Sequence, residues 1–128
     1  MQMQPHQVIL NVPEGSPDAA GETLELDFGL DGQTLLPVAV QESETGEMLL
    51  IAFMNQAAFE LTISTGKAHF WSRSRKQLWL KGATSGNFLL VRELWVNCEE
   101  NSLLLKVALA GKAACHTGHK SCYYRRVL

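Results

Sequence analysis

The sequence predicts an α+β fold, a mostly antiparallel and partly barrel-like sheet carrying one or two short helices. Two observations predict it. The second half breaks into short apolar runs divided by polar turns, at Ala68–Ser72, Gln77–Lys81, Phe88–Val96, Leu103–Ala110 and Cys122–Arg126. Ahead of them stand a hairpin pattern and one helix with recognisable caps. A length of 128 residues suits one domain with a real core, and 46% apolar with 19% charged residues is an ordinary soluble composition.

Residues 1–23 hold Pro5, Pro13, Pro17 and the turn-prone Glu14-Gly15-Ser16, and are expected to form an irregular lead-in to one domain over 24–128. Leu35–Val40 is strand-like, with Pro37 marking an edge or a strand start. Glu44-Thr45-Gly46-Glu47 is a turn and Met48–Phe53 a buried strand, which together make a hairpin. Asn55 is an N-cap for a helix over about Gln56–Ser64, stopped by Gly66. The remaining apolar runs are strands.

Charge is divided unevenly. Residues 1–66 contain ten acidic residues and no Lys or Arg; residues 67–128 contain all eleven Lys and Arg against three Glu. A basic half of this kind faces an anion or an acidic partner surface, or else the two halves neutralise each other on one surface. The N-terminus has neither the basic start nor the apolar segment of a secretory signal, and Met48–Met54 is too short to span a bilayer. Three cysteines make a poor disulfide framework and fit a reducing cytoplasm.

All three cysteines, Cys98, Cys115 and Cys122, fall within 25 residues, together with His116 and His119. Zinc takes thiolate sulfur with imidazole as a common companion, and three thiolates leave a tetrahedral ion one open position for catalysis. The alternative is three buried thiols packing as small hydrophobes.

His69-Phe70-Trp71-Ser72-Arg73-Ser74-Arg75-Lys76 gathers hydroxyls and cations suited to phosphate oxygens. If Ala68–Ser74 is extended, Ser72 and Ser74 share one face and Arg73 and Arg75 the other. Lys81-Gly82-Ala83-Thr84-Ser85-Gly86-Asn87 is a second anion cradle, from exposed backbone N–H groups and hydroxyls. Trp71 and Trp79 either stack on a base or fill the core. Basic residues among aromatics also suit nucleic acid, but the cations cluster in one block and the pI is about 6.1. The sequence points instead to a small phosphorylated ligand.

These motifs resemble the phosphoribosyl-AMP cyclohydrolase family. Trp71-Ser72-Arg73-Ser74-Arg75, Leu78-Trp79, Lys81-Gly82, Thr84-Ser85-Gly86 and Cys115-His116-Thr117-Gly118 followed by Ser121-Cys122 carry the resemblance. Leu36-Pro37-Val38-Ala39-Val40-Gln41, Thr45-Gly46-Glu47 and Ala52-Phe53-Met54-Asn55 extend it, so that it covers about residues 28–126. The resemblance implies hydrolysis of the N1–C6 bond of the adenine ring in phosphoribosyl-AMP, a step of histidine biosynthesis, by a cytoplasmic homodimer. It implies a zinc shared between subunits by Cys98, Cys115 and Cys122, and His116 as the group that moves protons. It also implies that Ser72, Arg73, Ser74, Arg75, Lys81, Thr84 and Ser85 bind the substrate; with the chain stopping just after Cys122–Arg126, no room is expected for the pyrophosphohydrolase domain fused to some relatives.

One motif departs from the family, whose Asp-Cys-Asp-x-Asp magnesium site is replaced here by Asn97-Cys98-Glu99-Glu100-Asn101. On an extended strand Asn97, Glu99 and Asn101 would share a face opposite Cys98, leaving magnesium one carboxylate and two amides. A family glutamine is likewise replaced by Leu89. The alternatives are a catalytically idle relative that binds zinc and a phosphoribosyl nucleotide, and a deaminase-like zinc hydrolase of another purine nucleotide.

Overall fold

The computed structural model describes residues 7–16 and 18–128. Two strands, β1 (Gln7–Asn11) and β2 (Thr23–Asp27), open the chain as an antiparallel pair with Val8 opposite Leu26 and Leu10 opposite Leu24. Part of the expected irregular lead-in is thus a strand. Val8 and Leu10 alternate along β1 and pack against the core, a period-two signal outweighed in the sequence by the neighbouring prolines. Residues 1–6 and Pro17 lie outside the described residues.

The main sheet has four strands. β3 (Leu36–Glu42) and β4 (Met48–Met54) form the expected antiparallel hairpin. Its turn is closed by Gln41 Nε2 donating to the Gly46 carbonyl at 2.8 Å and Thr45 Oγ1 donating to Glu42 at 2.6 Å. The helix α1 (Gln56–Thr65) follows. Asn55 caps it by accepting from the Ala58 N–H at 2.9 Å, and Gly66, at φ 74°, ends it with its N–H on the Thr62 carbonyl. Such a cap contributes about 0.5–2 kcal/mol. The helix presents Ala58, Phe59 and Thr62 to the core, where Phe59 meets Phe28 with ring centroids 5.6 Å apart.

Two short strands, β5 (His69–Ser72) and β6 (Gln77–Leu80), form a hairpin that pairs only with itself. β7 (Leu89–Val96) and β8 (Leu103–Leu109) are antiparallel. β8 then lies parallel to β3, with Val38 beside Leu103 and Val40 beside Leu105, giving the order β4-β3-β8-β7. Pro37, second in β3 and opposite Phe53, falls before this parallel register begins, and β3 lies inside the sheet: the proline marks a strand start, not an edge. Alternate residues Leu36, Val38 and Val40 of β3 and Leu103, Leu105 and Val107 of β8 are buried and form the centre of the core.

The sheet does not close into a barrel. Closure requires every strand to pair on both sides, whereas β4 and β7 are left as edges and β5–β6 meets β7 only through a bridge between Lys67 and Leu90. Nor is Cys122–Arg126 a strand. That segment is held to β4 by isolated bonds, Cys122 N–H to the Leu49 carbonyl at 2.7 Å and Ser121 Oγ to the Met48 carbonyl at 2.6 Å, which do not extend into a ladder. Among the described residues no helix is long and apolar enough to cross a membrane.

Candidate active site

A cleft of ≈ 770 Å³ lies between the β5–β6 hairpin, the loop after β6 and the loop around Cys115. The hairpin is positioned from below by Thr62 on α1. Its hydroxyl donates to the Ala58 carbonyl at 2.8 Å and accepts the His69 N–H at 2.9 Å, tying helix to strand.

The Ser/Arg block is a turn and not an extended strand. β5 stops at Ser72, residues 73–76 reverse the chain, and Lys76 takes a left-handed conformation at φ 51°. The Ser72 hydroxyl accepts the Arg75 N–H at 3.2 Å and lies 3.4 Å from the Ser74 hydroxyl. Side-chain capping of the backbone by serine competes with the ladder and stops the strand here. Ser72, Ser74 and Arg75 therefore line the cleft together. Arg73 does not; its guanidinium lies over the Phe53 ring, 4.0 Å from the centroid.

Lys81 directly follows β6 and is 7% exposed, with its ammonium 5.3 Å from the centre of the Trp79 ring. Burial pushes its pKa below the ordinary lysine value, while charge on Cys122 and Cys115 pulls it back. Thr84 and Ser85 follow in a loop closed by the Gly86 N–H on the Gly82 carbonyl at 2.8 Å. Gly82 has φ 94°, and a Cβ there would sit 2.5 Å from the Phe88 nitrogen, so only glycine lets the loop turn this tightly. Trp79 lines the same cleft, 41% exposed, with its ring 5.8 Å from Phe70. It is a wall rather than core filling. Leu89, by contrast, is fully buried and takes no part in the cleft.

Cys115 and His116 form the opposite wall. Their loop is folded on itself by Ala114 N–H to Lys120 O at 2.9 Å, Cys115 N–H to His119 O at 3.1 Å and Gly118 N–H to Cys115 O at 3.0 Å. The Thr117 hydroxyl donates to Cys115 Sγ at 2.9 Å. That bond, with the Thr117 backbone, lowers the Cys115 pKa against the opposing effect of burial; Cys122 and Lys81 add to the lowering. Burial raises the pKa of Cys122, and the neighbouring Cys115 raises it further. The two sulfurs are coupled: the contact between them lowers the Cys115 pKa and raises that of Cys122.

Cys98 is elsewhere. It is an exposed thiol in the β7–β8 turn, lining a separate groove of ≈ 630 Å³ that shares no residue with the cleft. Among the described residues no three His, Cys, Asp or Glu side chains of one chain converge on a metal position. The chemistry of the paired thiols fits zinc, but one chain supplies only two of the three sulfurs at one place.

The turn at Asn97–Asn101 is not the extended segment expected. Asn97 Oδ1 accepts the N–H groups of Asn101 and Ser102, each at 2.9 Å, which fixes its amide orientation. Asn97 Nδ2 then donates to Asn101 Oδ1 at 2.7 Å, and Asn101 Nδ2 faces Glu99 Oε2 at 3.5 Å. Glu100 completes the turn at φ 57°. Asn97, Glu99 and Asn101 do meet, through the turn, but as a hydrogen-bonded clasp. One carboxylate and two engaged amide oxygens do not fit magnesium, which demands near-octahedral oxygen ligands.

Sequence reasoning placed Thr117 and His119 beside the cysteines without giving them a role, and passed over Lys120. His119 Nδ1 lies 2.9 Å from the Thr117 hydroxyl, and its ring stacks on Tyr124 at 3.6 Å. A hydroxyl two residues beyond a candidate ligand cysteine was the available signal for Thr117, and His119 stands two residues beyond that hydroxyl; the Lys120 contact, with Glu42, had no local signal.

A family model described as Phosphoribosyl-AMP cyclohydrolase matches residues 50–124. Similar proteins carry that name. The protein of Desulfatibacillum aliphaticivorans is 53% identical over 104 residues, 81% of this chain and 82% of its own length. That of Desulfotalea psychrophila is 47% identical over 104 residues, again 81% and 82%. That of Methanococcoides burtonii is 48% identical over 105 residues, 81% and 86%.

Proposed function

This chain belongs to the phosphoribosyl-AMP cyclohydrolase family of hydrolases, and from that premise we propose that it opens the adenine ring of 1-(5-phosphoribosyl)-AMP in histidine biosynthesis by hydrolysing the N1–C6 bond. The observation that carries this reading is the composition of the cleft, where phosphate-binding groups and a thiol–imidazole wall face each other. Arg75, Ser72 and Ser74 offer a guanidinium fork and two hydroxyls to one phosphate region. Lys81, Thr84 and Ser85 serve a second anionic group across the cleft, and the face of Trp79 is suited to a base. Arg73 supports the turn through Phe53 instead of touching substrate.

The reaction adds a water oxygen to C6, breaks the C6–N1 bond and delivers a proton to N1. His116, exposed in the wall beside Cys115, takes the proton from water and returns it to the departing nitrogen. Zinc, if bound by Cys115 and Cys122 with the Cys98 of a second copy, would supply the acidity that lowers the pKa of water toward neutrality. The separation of Cys98 from the other two sulfurs within one chain supports a homodimer with a shared site. Free thiols fit a reducing cytoplasm. No step runs through magnesium.

The test is to mix purified protein with phosphoribosyl-AMP and follow ring opening by absorbance, before and after zinc removal. A second reading, an idle relative that binds the nucleotide, is favoured by the amide clasp at Asn97–Asn101. Tight binding of the nucleotide with no absorbance change would establish it. Ring opening by the zinc-free protein at the full rate would overturn the zinc assignment.

A further inference from the structure

Thr117 stands between two groups that constrain its single proton. Its hydroxyl is 2.9 Å from Cys115 Sγ on one side and 2.9 Å from His119 Nδ1 on the other. A hydroxyl has one hydrogen to donate and lone pairs with which to accept. A sulfur serving as a metal ligand is deprotonated and only accepts. The Thr117 hydrogen therefore goes to sulfur, and the Thr117 oxygen must accept from His119. This places the imidazole hydrogen on Nδ1, an assignment forced by the network. The ring that donates it is held in plane by Tyr124, parallel within 1° at 3.6 Å, while the Arg125 guanidinium lies 5.4 Å from the Tyr124 ring centre. Backbone bonds fix the spacing, because Cys115 N–H donates to the His119 carbonyl at 3.1 Å.

We propose that Thr117 and His119 form a one-way hydrogen-bond relay, braced by Tyr124, that positions the Cys115 sulfur and tempers its electron donation to a bound metal. The inference rests on the zinc reading above and extends it to residues of this chain that touch neither the reacting atoms nor the metal. They are positioning residues. Groups that hydrogen-bond a metal ligand set its direction and its donor strength. A thiolate that receives a proton donor has lower-energy lone pairs and gives less charge to the ion.

The test loads cobalt(II) into full-length protein freed of metal, because cobalt reports its sulfur ligands through a charge-transfer absorption band. Affinity is read in parallel by competition with a chromophoric chelator, and melting curves confirm that each variant is folded. Thr117→Val keeps the shape and removes the donor; the sulfur-to-cobalt band should move to longer wavelength and affinity should fall roughly 10–100-fold. Thr117→Ser should restore both. His119→Phe keeps the ring stack but removes the N–H, and should move the band the same way by a smaller amount. Tyr124→Phe preserves the stack and should leave the spectrum unchanged. A Thr117→Val protein with the parent band and affinity overturns the relay, and a silent His119→Phe removes His119 from it. A parent protein that takes up no cobalt overturns the zinc reading and the relay with it, so the two failures are told apart.

Discussion

The Lys120 ammonium lies 2.6 Å from the Glu42 carboxylate and 3.2 Å from Glu47, joining the loop of Cys115 and Cys122 to the β3–β4 hairpin. The charges thus pair across 78 residues of sequence. Chiefly through its hydrogen bond to Lys120, the Glu42 pKa is lowered, and Lys120, chiefly through Glu42, is raised. A lowered carboxylate contributes stability above its unfolded pKa and loses it as pH falls through the folded value. A raised ammonium contributes below its unfolded pKa and loses it as pH rises through the folded value. The pair therefore acts fully between about pH 4.3 and about pH 10.4. Lys120→Met should lower the melting temperature within that window and flatten its pH dependence at both ends. Melting curves identical to the parent across the range would count against any role for the pair.

Cys115→Ala or Cys122→Ala should each abolish turnover and bound zinc, since each removes a ligand. Cys98→Ala should do the same and also weaken self-association. A mixing experiment separates a shared site from one built within a chain. When inactive Cys98→Ala and Cys115→Ala proteins exchange subunits at random, about a quarter of the sites regain all three thiols. Activity should return to that level. No recovery after demonstrated subunit exchange would place all ligands in one chain.

Arg75 and Arg73 should behave differently although they are two residues apart. Arg75 lines the cleft, and loss of its charge-assisted bonds to phosphate should raise KM with less effect on kcat, by about 1.5–3 kcal/mol in kcat/KM. Arg73 lies over Phe53, so Arg73→Ala should leave KM near the parent value and cost about 0.5–1 kcal/mol of stability. Steady-state kinetics and thermal melts on the two variants decide it. Equal rises in KM would return Arg73 to the binding site.

Asn97 and Asn101 close their turn through hydrogen bonds of their own amides. Chelation or added magnesium should leave the parent melting temperature where it is. Asn97→Asp with Asn101→Asp sets two carboxylates where the amides now meet at 2.7 Å. That protein should melt lower in chelator and recover with magnesium, as like charges at this range repel until a cation joins them. A parent protein stabilised by magnesium at this turn would show that the amides yield to the ion.

Local chemistry was legible in the sequence wherever a few adjacent residues carry the whole cause. The helix could be read because Asn55 and Gly66 cap it from the positions that directly flank its ten residues. The β3–β4 hairpin could be read because its turn residues sit between its strands. β1 was obscured because Val8 and Leu10 make a strand only with Leu26 and Leu24 to pair with. The basic block was legible in composition but not in shape: a serine hydroxyl that caps the chain at Ser72 changes which arginine reaches the cleft.

The sequence by itself determined which chemical groups this protein has to use: three thiols with a histidine beside one of them, a Ser/Arg block, a glycine-bracketed loop, and two amides flanking Glu99 at Asn97 and Asn101. Side-chain identity decides that much, because a thiol or a guanidinium keeps its chemistry in any fold. Only the tertiary structure decided which groups meet. It gathered Ser72, Ser74, Arg75, Lys81, Cys115 and His116 around one cleft, turned Arg73 away onto Phe53, and left Cys98 at another groove. It also set β8 parallel to β3 and anchored the Cys122 segment on β4. Those outcomes depend on contacts between residues far apart in sequence, where packing of the common core outweighs any local preference.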